Sequence, residues 1–200
     1  MKQIILLIAL LMILMPMVAQ VKSSITDSYN AETALNYSRA LEIMQDLART
    51  DPNDEFYQVR IGWLQYLLGS YNDALKAYQS SNKLFPNLDA QIGILNCYLA
   101  LGKWNEGIEQ ANDILKVYPH HTTAMAKAAF AAYMKQEFKL AADYYARIIR
   151  IAPWDTEIRG YLVNNLYLSK DTQEAKKHYL KLKKYSPESQ IVKDYAKIFE

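Results

Sequence analysis

Few side chains in this sequence are suited to chemistry, and their spacing does not favour a catalytic site. Three histidines occur, at positions 120, 121 and 178. His120 and His121 follow Pro119 directly, and adjacent residues seldom reach one metal ion without a third ligand close by. His178 lies in a lysine-rich stretch with no carboxylate predicted beside it to orient the imidazole. A general base is therefore not expected there.

The single cysteine, Cys97, excludes an intrachain disulfide and any multi-cysteine zinc site. We predict that it is a buried packing residue. No Ser-His-Asp set, paired-carboxylate motif or dinucleotide fingerprint has supporting context, and the six glycines form no phosphate-binding cluster. We expect a protein that is not an enzyme and that needs no cofactor or metal.

The elements that position these side chains are marked by regularly spaced prolines. Successive prolines lie 33 or 34 residues apart, at positions 52, 86, 119, 153 and 187. Twelve residues before each proline stands a small residue: Ala40, Ala74, Gly107, Ala141 and Ala175. Each unit also carries two apolar helical stripes separated by a break, with Gly69 and Gly102 suited to ending a helix. A fixed period of this size predicts an all-α array of stacked helical hairpins.

Four stretches make the pattern more specific: YNDALKAY (71–78), ILNCYLALGKWNEGIEQANDILKVYP (94–119), FKLAADYYARIIRIAP (138–153) and TQEAKKHYLKLKKYSP (172–187). They resemble the tetratricopeptide repeat (TPR). The resemblance implies a right-handed α-solenoid of helical hairpins, with repeats at 55–87, 88–121, 122–155 and 156–187. We expect an N-terminal capping helix or partial repeat at 27–54 and a C-terminal capping helix at 188–200.

In this family the first helix of each pair lines a concave groove. The groove-facing offsets combine large aromatic side chains with amide and cationic groups, a mix typical of binding interfaces. The predicted site residues are Arg60, Trp63, Tyr66, Asn96, Lys127, Phe130, Tyr133, Tyr161, Asn164 and Tyr167. Several of them could instead pack between repeats. We expect the groove to bind a peptide segment of a protein partner. The alternative is carbohydrate, because aromatic faces also stack on sugar rings.

Residues 1–19 have the composition of a secretory signal peptide. Lys2 precedes an apolar run from Ile4 to Met15, and a small residue, Ala19, follows Pro16. The run is shorter than the roughly 20 residues that cross a bilayer as a helix. We therefore expect an exported protein, in the periplasm, cell envelope or extracellular space. The alternative is an uncleaved N-terminal membrane anchor on an assembly factor.

Charge separates the two ends of the chain although its total is small. The formal net charge is +2, which argues against a nucleic-acid binder. Residues 27–55 carry seven acidic side chains and two arginines, whereas residues 170–200 carry eight lysines and five acids. The lysines are predicted on an outward-facing second helix. They form either a solvated surface or a contact with anionic lipid or an acidic partner.

Overall fold

The computed structural model describes residues 24–200, which form eleven α-helices and no strand. The predicted signal segment, residues 1–19, lies outside the described residues. The helices are α1 (Ile25–Thr33), α2 (Tyr37–Thr50), α3 (Glu55–Leu67), α4 (Tyr71–Leu84), α5 (Leu88–Ala100), α6 (Trp104–Val117), α7 (Thr122–Met134), α8 (Phe138–Ile151), α9 (Thr156–Leu168), α10 (Thr172–Tyr185) and α11 (Gln190–Phe199).

Each helical hairpin reverses at one residue in the left-handed region of backbone conformation. Gly69 and Gly102 have φ angles of +77° and +68° at the turns after α3 and α5. Leu35, Gln136 and Lys170 adopt the same conformation, at φ angles of +59°, +61° and +68°. Residues other than glycine rarely adopt this backbone conformation, so packing of the flanking helices must hold Leu35, Gln136 and Lys170 in it.

The hairpin before residue 55 is more complete than the sequence suggested. Residues 24–50 form two helices, α1 and α2, rather than one capping helix or part of a repeat. A capping box between Ser24 and Asp27 begins α1, and the buried Ser28 hydroxyl donates to the Ala40 carbonyl. These polar contacts hold a nine-residue helix that has no wide apolar stripe.

The core lies within each hairpin and continues from one hairpin to the next. The small residues twelve positions before the prolines are fully buried or nearly so, as close helix crossings require. The first helices also contact one another: α3 meets α5, α5 meets α7, and α9 meets α11. They therefore form one face. Within residues 24–200, no helix is long and apolar enough to cross a membrane.

Candidate functional site: a groove along the first helices

A pocket of about 660 Å³ lies between α3, α5 and the start of α7. We call it the groove pocket. Phe56, Val59 and Trp63 of α3 line one side, and Leu88 and Ile92 of α5 line the other. The polar groups at its edges are Glu55, Arg60, Asn87, Asp89, Asn96, His121 and Thr123. Such a mix of apolar walls and a few polar groups is typical of a binding site.

Tyr78 of α4 forms the floor of the groove pocket because two glycines leave room for its ring. A Cβ on Gly62 would lie 2.9 Å from the ring, and a Cβ on Gly93 would overlap it. The tyrosine therefore reaches between α3 and α5 from the layer behind them. Burial raises the pKa of its phenol, so Tyr78 remains a neutral, mainly apolar surface.

At the N-terminal end of the groove, α1 already contacts two of the predicted site residues. Glu32 forms an ion pair with Arg60 and accepts a hydrogen bond of 2.8 Å from Trp63 Nε1. The Arg60 guanidinium also lies 4.6 Å from the Tyr29 ring centroid. The charge of Arg60, a predicted groove residue, is therefore compensated within the protein.

Trp63 keeps an accessible ring although its N–H is occupied. The side chain is 37% exposed and lines the groove pocket. Tyr66 stacks on it, with ring planes 8° apart and centroids 6.4 Å apart. Tyr66 also packs against Tyr71 of α4, so it supports Trp63 from behind more than it lines the pocket.

The middle of the groove extends from α5 onto α7. Asn96 lines the groove pocket, and Thr123 begins a face of α7 that Lys127 and Phe130 continue at helical spacing. Half-burial lowers the pKa of the Lys127 amine. No carboxylate of residues 24–200 lies within 4.0 Å of that amine. It is a desolvated cation that a ligand carboxylate or carbonyl oxygen could stabilise.

Phe130 and Tyr133 are exposed but supported from below. Phe130 contacts Trp104 edge-on at a centroid distance of 5.8 Å, and Tyr133 packs on Phe138 at 5.7 Å. Each ring is thus held by an aromatic residue at the start of a second helix. Rings fixed in this way lose little side-chain entropy when a ligand covers them.

At the C-terminal end, α11 covers residues that the sequence assigned to the open groove. Asn164 Oδ1 accepts a hydrogen bond of 2.8 Å from the Tyr195 hydroxyl. Tyr167 packs on Tyr195 and Phe199 at centroid distances of 5.1 and 6.1 Å. Asn164 and Tyr167 therefore hold the last helix rather than face an open groove, because α11 occupies the place of a further first helix. Tyr161 remains exposed, and its hydroxyl donates to Glu157.

Sequence reasoning missed the residues at the helix starts that complete the pocket. Glu55 and Asp89 lie in the first turns of α3 and α5, and His121 caps α7 by accepting from the Ala124 N–H at 3.1 Å. On the sequence alone, His121 was considered only as a metal ligand. A histidine at an N-cap position after Pro119 was the available signal.

The one cysteine, Cys97, lies in an environment that disfavours the reactive thiolate. Cys97 is fully buried, and burial raises the pKa of its thiol to about 12, which keeps it protonated. No group of three or more histidine, cysteine, aspartate or glutamate side chains within the described part of the chain is placed to hold a metal. The arrangement on the first-helix face is suited to binding.

Comparison with known proteins agrees with this architecture. Two family models, both described as tetratricopeptide repeat, match residues 57–87 and 96–155. These two stretches of the chain are tetratricopeptide repeats. Proteins built from TPR units are typically non-catalytic adaptors that bind protein or peptide partners. No curated protein matches the sequence.

Solved structures of TPR proteins share the fold at low sequence identity. MamA from Desulfovibrio magneticus RS-1 is 16% identical, with a TM-score of 0.72 over 82% of this chain and 94% of that one. A TPR protein from Parabacteroides merdae is 18% identical, with a TM-score of 0.75 over 85% and 68% of the two chains. YrrB, described as a TPR protein with an unusual peptide-binding site, is 11% identical, with a TM-score of 0.72 over 87% and 90%. The predicted all-α, right-handed solenoid of TPR hairpins is confirmed.

Proposed function

We propose that this chain is a non-catalytic adaptor of the cell envelope and that its groove binds an extended peptide segment of a partner protein. The observation that carries the proposal is the groove pocket itself, which combines the open Trp63 ring, the Tyr78 floor and the Asn96 amide. An amide side chain can donate to and accept from a peptide backbone, while fixed aromatic rings supply buried area. The peptide-binding site named for YrrB supports the same use of the fold.

The charges at the pocket restrict the peptide further. Glu55 and Asp89 supply two carboxylates, and Arg60 is neutralised by its ion pair with Glu32. The only other titratable side chain with a basic form in the lining is His121. The residue that enters this pocket should therefore be basic with an apolar stem, such as lysine or arginine. A carboxylate on the same peptide, farther along the groove, would meet Lys127.

The envelope location rests on residues 1–19, whose order of charged, apolar and small residues is typical of an export signal. An intact-mass measurement on protein from the native host tests this part. A mature chain that begins near Gln20 supports export, and a chain that retains Met1 favours the alternative of an anchored assembly factor.

A displayed library of short random peptides, selected against the purified protein, tests the groove. We expect enrichment of a basic residue beside apolar residues. Trp63→Ala should weaken binding of an enriched peptide by about 2 kcal/mol, roughly thirtyfold, because a central aromatic anchor is lost. Trp154→Ala is the matched control, since Trp154 is exposed and lies outside the groove pocket.

Stability separates a ligand contact from a packing role for Trp63. If Trp63 only packs between helices, its truncation should lower the free energy of unfolding by roughly 3 to 5 kcal/mol. Unchanged affinity in a folded Trp63→Ala protein would remove this residue from the site. A ligand captured from envelope extract that survives protease treatment of the extract would favour the carbohydrate alternative.

A further inference from the structure

A second pocket lies in the last repeat, away from the groove pocket. It has a volume of about 360 Å³ and is formed by the turn between α8 and α9 together with α10. Trp154, Arg159, Lys181, Lys184 and Tyr185 contribute to its lining, and it shares no residue with the groove pocket. We call it the cationic pocket.

Arg159 is a buried cation without an acidic partner. The residue is 4% exposed. Its guanidinium donates to the Pro153 carbonyl and lies 3.0 Å from His178 Nδ1. No carboxylate of residues 24–200 lies within 4.0 Å of it. Burial lowers the pKa of Arg159, yet a guanidinium stays charged at neutral pH. A buried charge that lacks a counterion is costly, and an anionic ligand would relieve that cost.

His178 adds no second positive charge beside Arg159, and an imidazole cannot supply a negative one. Burial, followed by the charge of Arg159, lowers the pKa of the imidazole, so the ring is neutral at pH 7 and accepts the guanidinium N–H. The two acids just before Arg159 in sequence are engaged elsewhere. Asp155 accepts from the Ile158 N–H at 2.9 Å at the start of α9, and Glu157 accepts from the Tyr161 hydroxyl at 2.9 Å.

Two lysines add to the positive charge. Lys181 and Lys184 line the pocket from α10, and neither forms an ion pair with a carboxylate of the described residues. The Lys184 amine lies 5.2 Å from the Tyr185 ring centroid. Three cationic side chains around one small pocket are better matched by a dianion than by a single carboxylate.

An exposed aromatic surface stands beside these charges. Trp154 is 72% exposed and contacts Tyr185 edge-on at 5.2 Å. An indole so exposed, and held in place by a second ring, offers a flat apolar face to a bound molecule. The ligand should therefore carry its charge next to a flat or apolar body.

We propose that the cationic pocket binds a phosphate monoester group, held by Arg159, Lys181 and Lys184, whose organic part covers Trp154. A dianionic phosphate has three acceptor oxygens and so can take hydrogen bonds from all three cationic side chains. This inference does not depend on the groove or its peptide.

Calorimetric titration with phenyl phosphate tests the proposal at about 150 mM salt, where loose attraction to surface charge is screened. We expect saturable one-to-one binding, with no binding of phenol. Lys181→Gln combined with Lys184→Gln should weaken binding roughly tenfold or more, because two charged hydrogen-bond donors are lost. The matched control replaces Lys176 and Lys183 by Gln on the same helix, removing equal charge outside the pocket, and should change affinity less than about twofold.

Arg159→Leu can be expected to disturb folding, so the exposed lysines and Trp154→Ala carry the test. Vesicles of phosphatidylcholine with and without phosphatidic acid identify the source of the phosphate. Binding of phenyl phosphate alone indicates a soluble phosphate ester, and binding of both with the same dependence on Lys181 and Lys184 indicates a lipid headgroup. Absence of phenyl phosphate binding, or an equal loss in the control variant, overturns the proposal even if the vesicles bind.

Discussion

The two ends of the solenoid close the row of first helices with different chemistry. At the N-terminal end, α1 contributes Glu32, whose carboxylate binds Arg60 and the Trp63 N–H. At the C-terminal end, α11 contributes the rings of Tyr195 and Phe199. The contact at the N-terminal end joins polar atoms and leaves the Trp63 ring accessible, whereas the contact at the C-terminal end partly buries Tyr167.

Residues at equivalent positions of different repeats therefore make different contacts. Trp63 and Asn164 stand at the same offset in their repeats, yet one lines the groove pocket and the other holds α11. Arg60 and Gly93 also share an offset, and the glycine is what leaves room for the Tyr78 ring. A repeat pattern identifies the face of a helix on which a residue lies, and the neighbouring helix decides whether that face is open.

The largest expected effect is at the C-terminal end. Phe199 is 3% exposed and packs against Tyr167, Tyr179 and Tyr195, so Phe199→Ala should lower the free energy of unfolding by roughly 3 to 5 kcal/mol. Ile198→Ala is the matched control, because its side chain is 47% exposed. Urea titration of both variants checks the difference. Equal stability would mean that α11 does not close the array as described.

Gly93→Ala should have the next largest effect. The added methyl group overlaps the Tyr78 ring, so the variant should lose roughly 1 to 3 kcal/mol of stability and narrow the groove pocket. Gly69→Ala meets no atom within 4 Å and is strained only by its φ of +77°. It should cost about 1 kcal/mol. Groove-peptide affinity distinguishes the two, since only Gly93→Ala should reduce it.

A smaller effect is expected when the polar contact at the N-terminal end is removed. Glu32→Gln leaves the half-buried Arg60 charge without its partner and should cost roughly 1 to 2 kcal/mol of stability. Glu42→Gln breaks an ion pair with Arg39 that is exposed on both sides and should cost less than about 0.5 kcal/mol. Thermal unfolding of the two variants provides the comparison. A silent Glu32→Gln would show that α1 is held without this carboxylate.

The smallest expected effect is on the pH dependence of stability, and it arises from His178 near the C-terminal end. Burial and the Arg159 charge lower the pKa of His178 in the folded protein. As the pH falls through the ordinary histidine value of about 6.5, the unfolded chain takes up a proton before the folded chain does, and stability decreases. His178→Gln should flatten the stability profile between about pH 7 and 5. An unchanged profile in His178→Gln would show that this imidazole does not set the pH dependence.

The solenoid could be predicted from the sequence because the residues that specify it recur at a fixed period. The proline series and the buried small residues repeat with the structural unit, and the breaks expected at Gly69 and Gly102 are turns with positive φ. The sequence also led correctly to a buried Cys97.

The contacts at the two ends could not be predicted in the same way. Glu32 and Arg60 lie 28 residues apart and meet only through the packing of α1, a short helix without a wide apolar stripe. The packing of α11 on Asn164 likewise cannot be read from the repeat period, because equivalent residues of the earlier repeats have no such contact. The role of Gly93 depends on the direction of the Tyr78 ring in another helix.

The short turns have a consequence for how the protein is digested by proteases. Every connection between helices of residues 24–200 is only three or four residues long. A protease must draw an extended stretch of chain into its cleft, and connections this short supply none while the flanking helices stay folded. Digestion should therefore begin where a terminal helix opens and should report the rate or extent of that opening. The compact turns give the array a resistance to digestion that lasts as long as its two terminal helices remain packed.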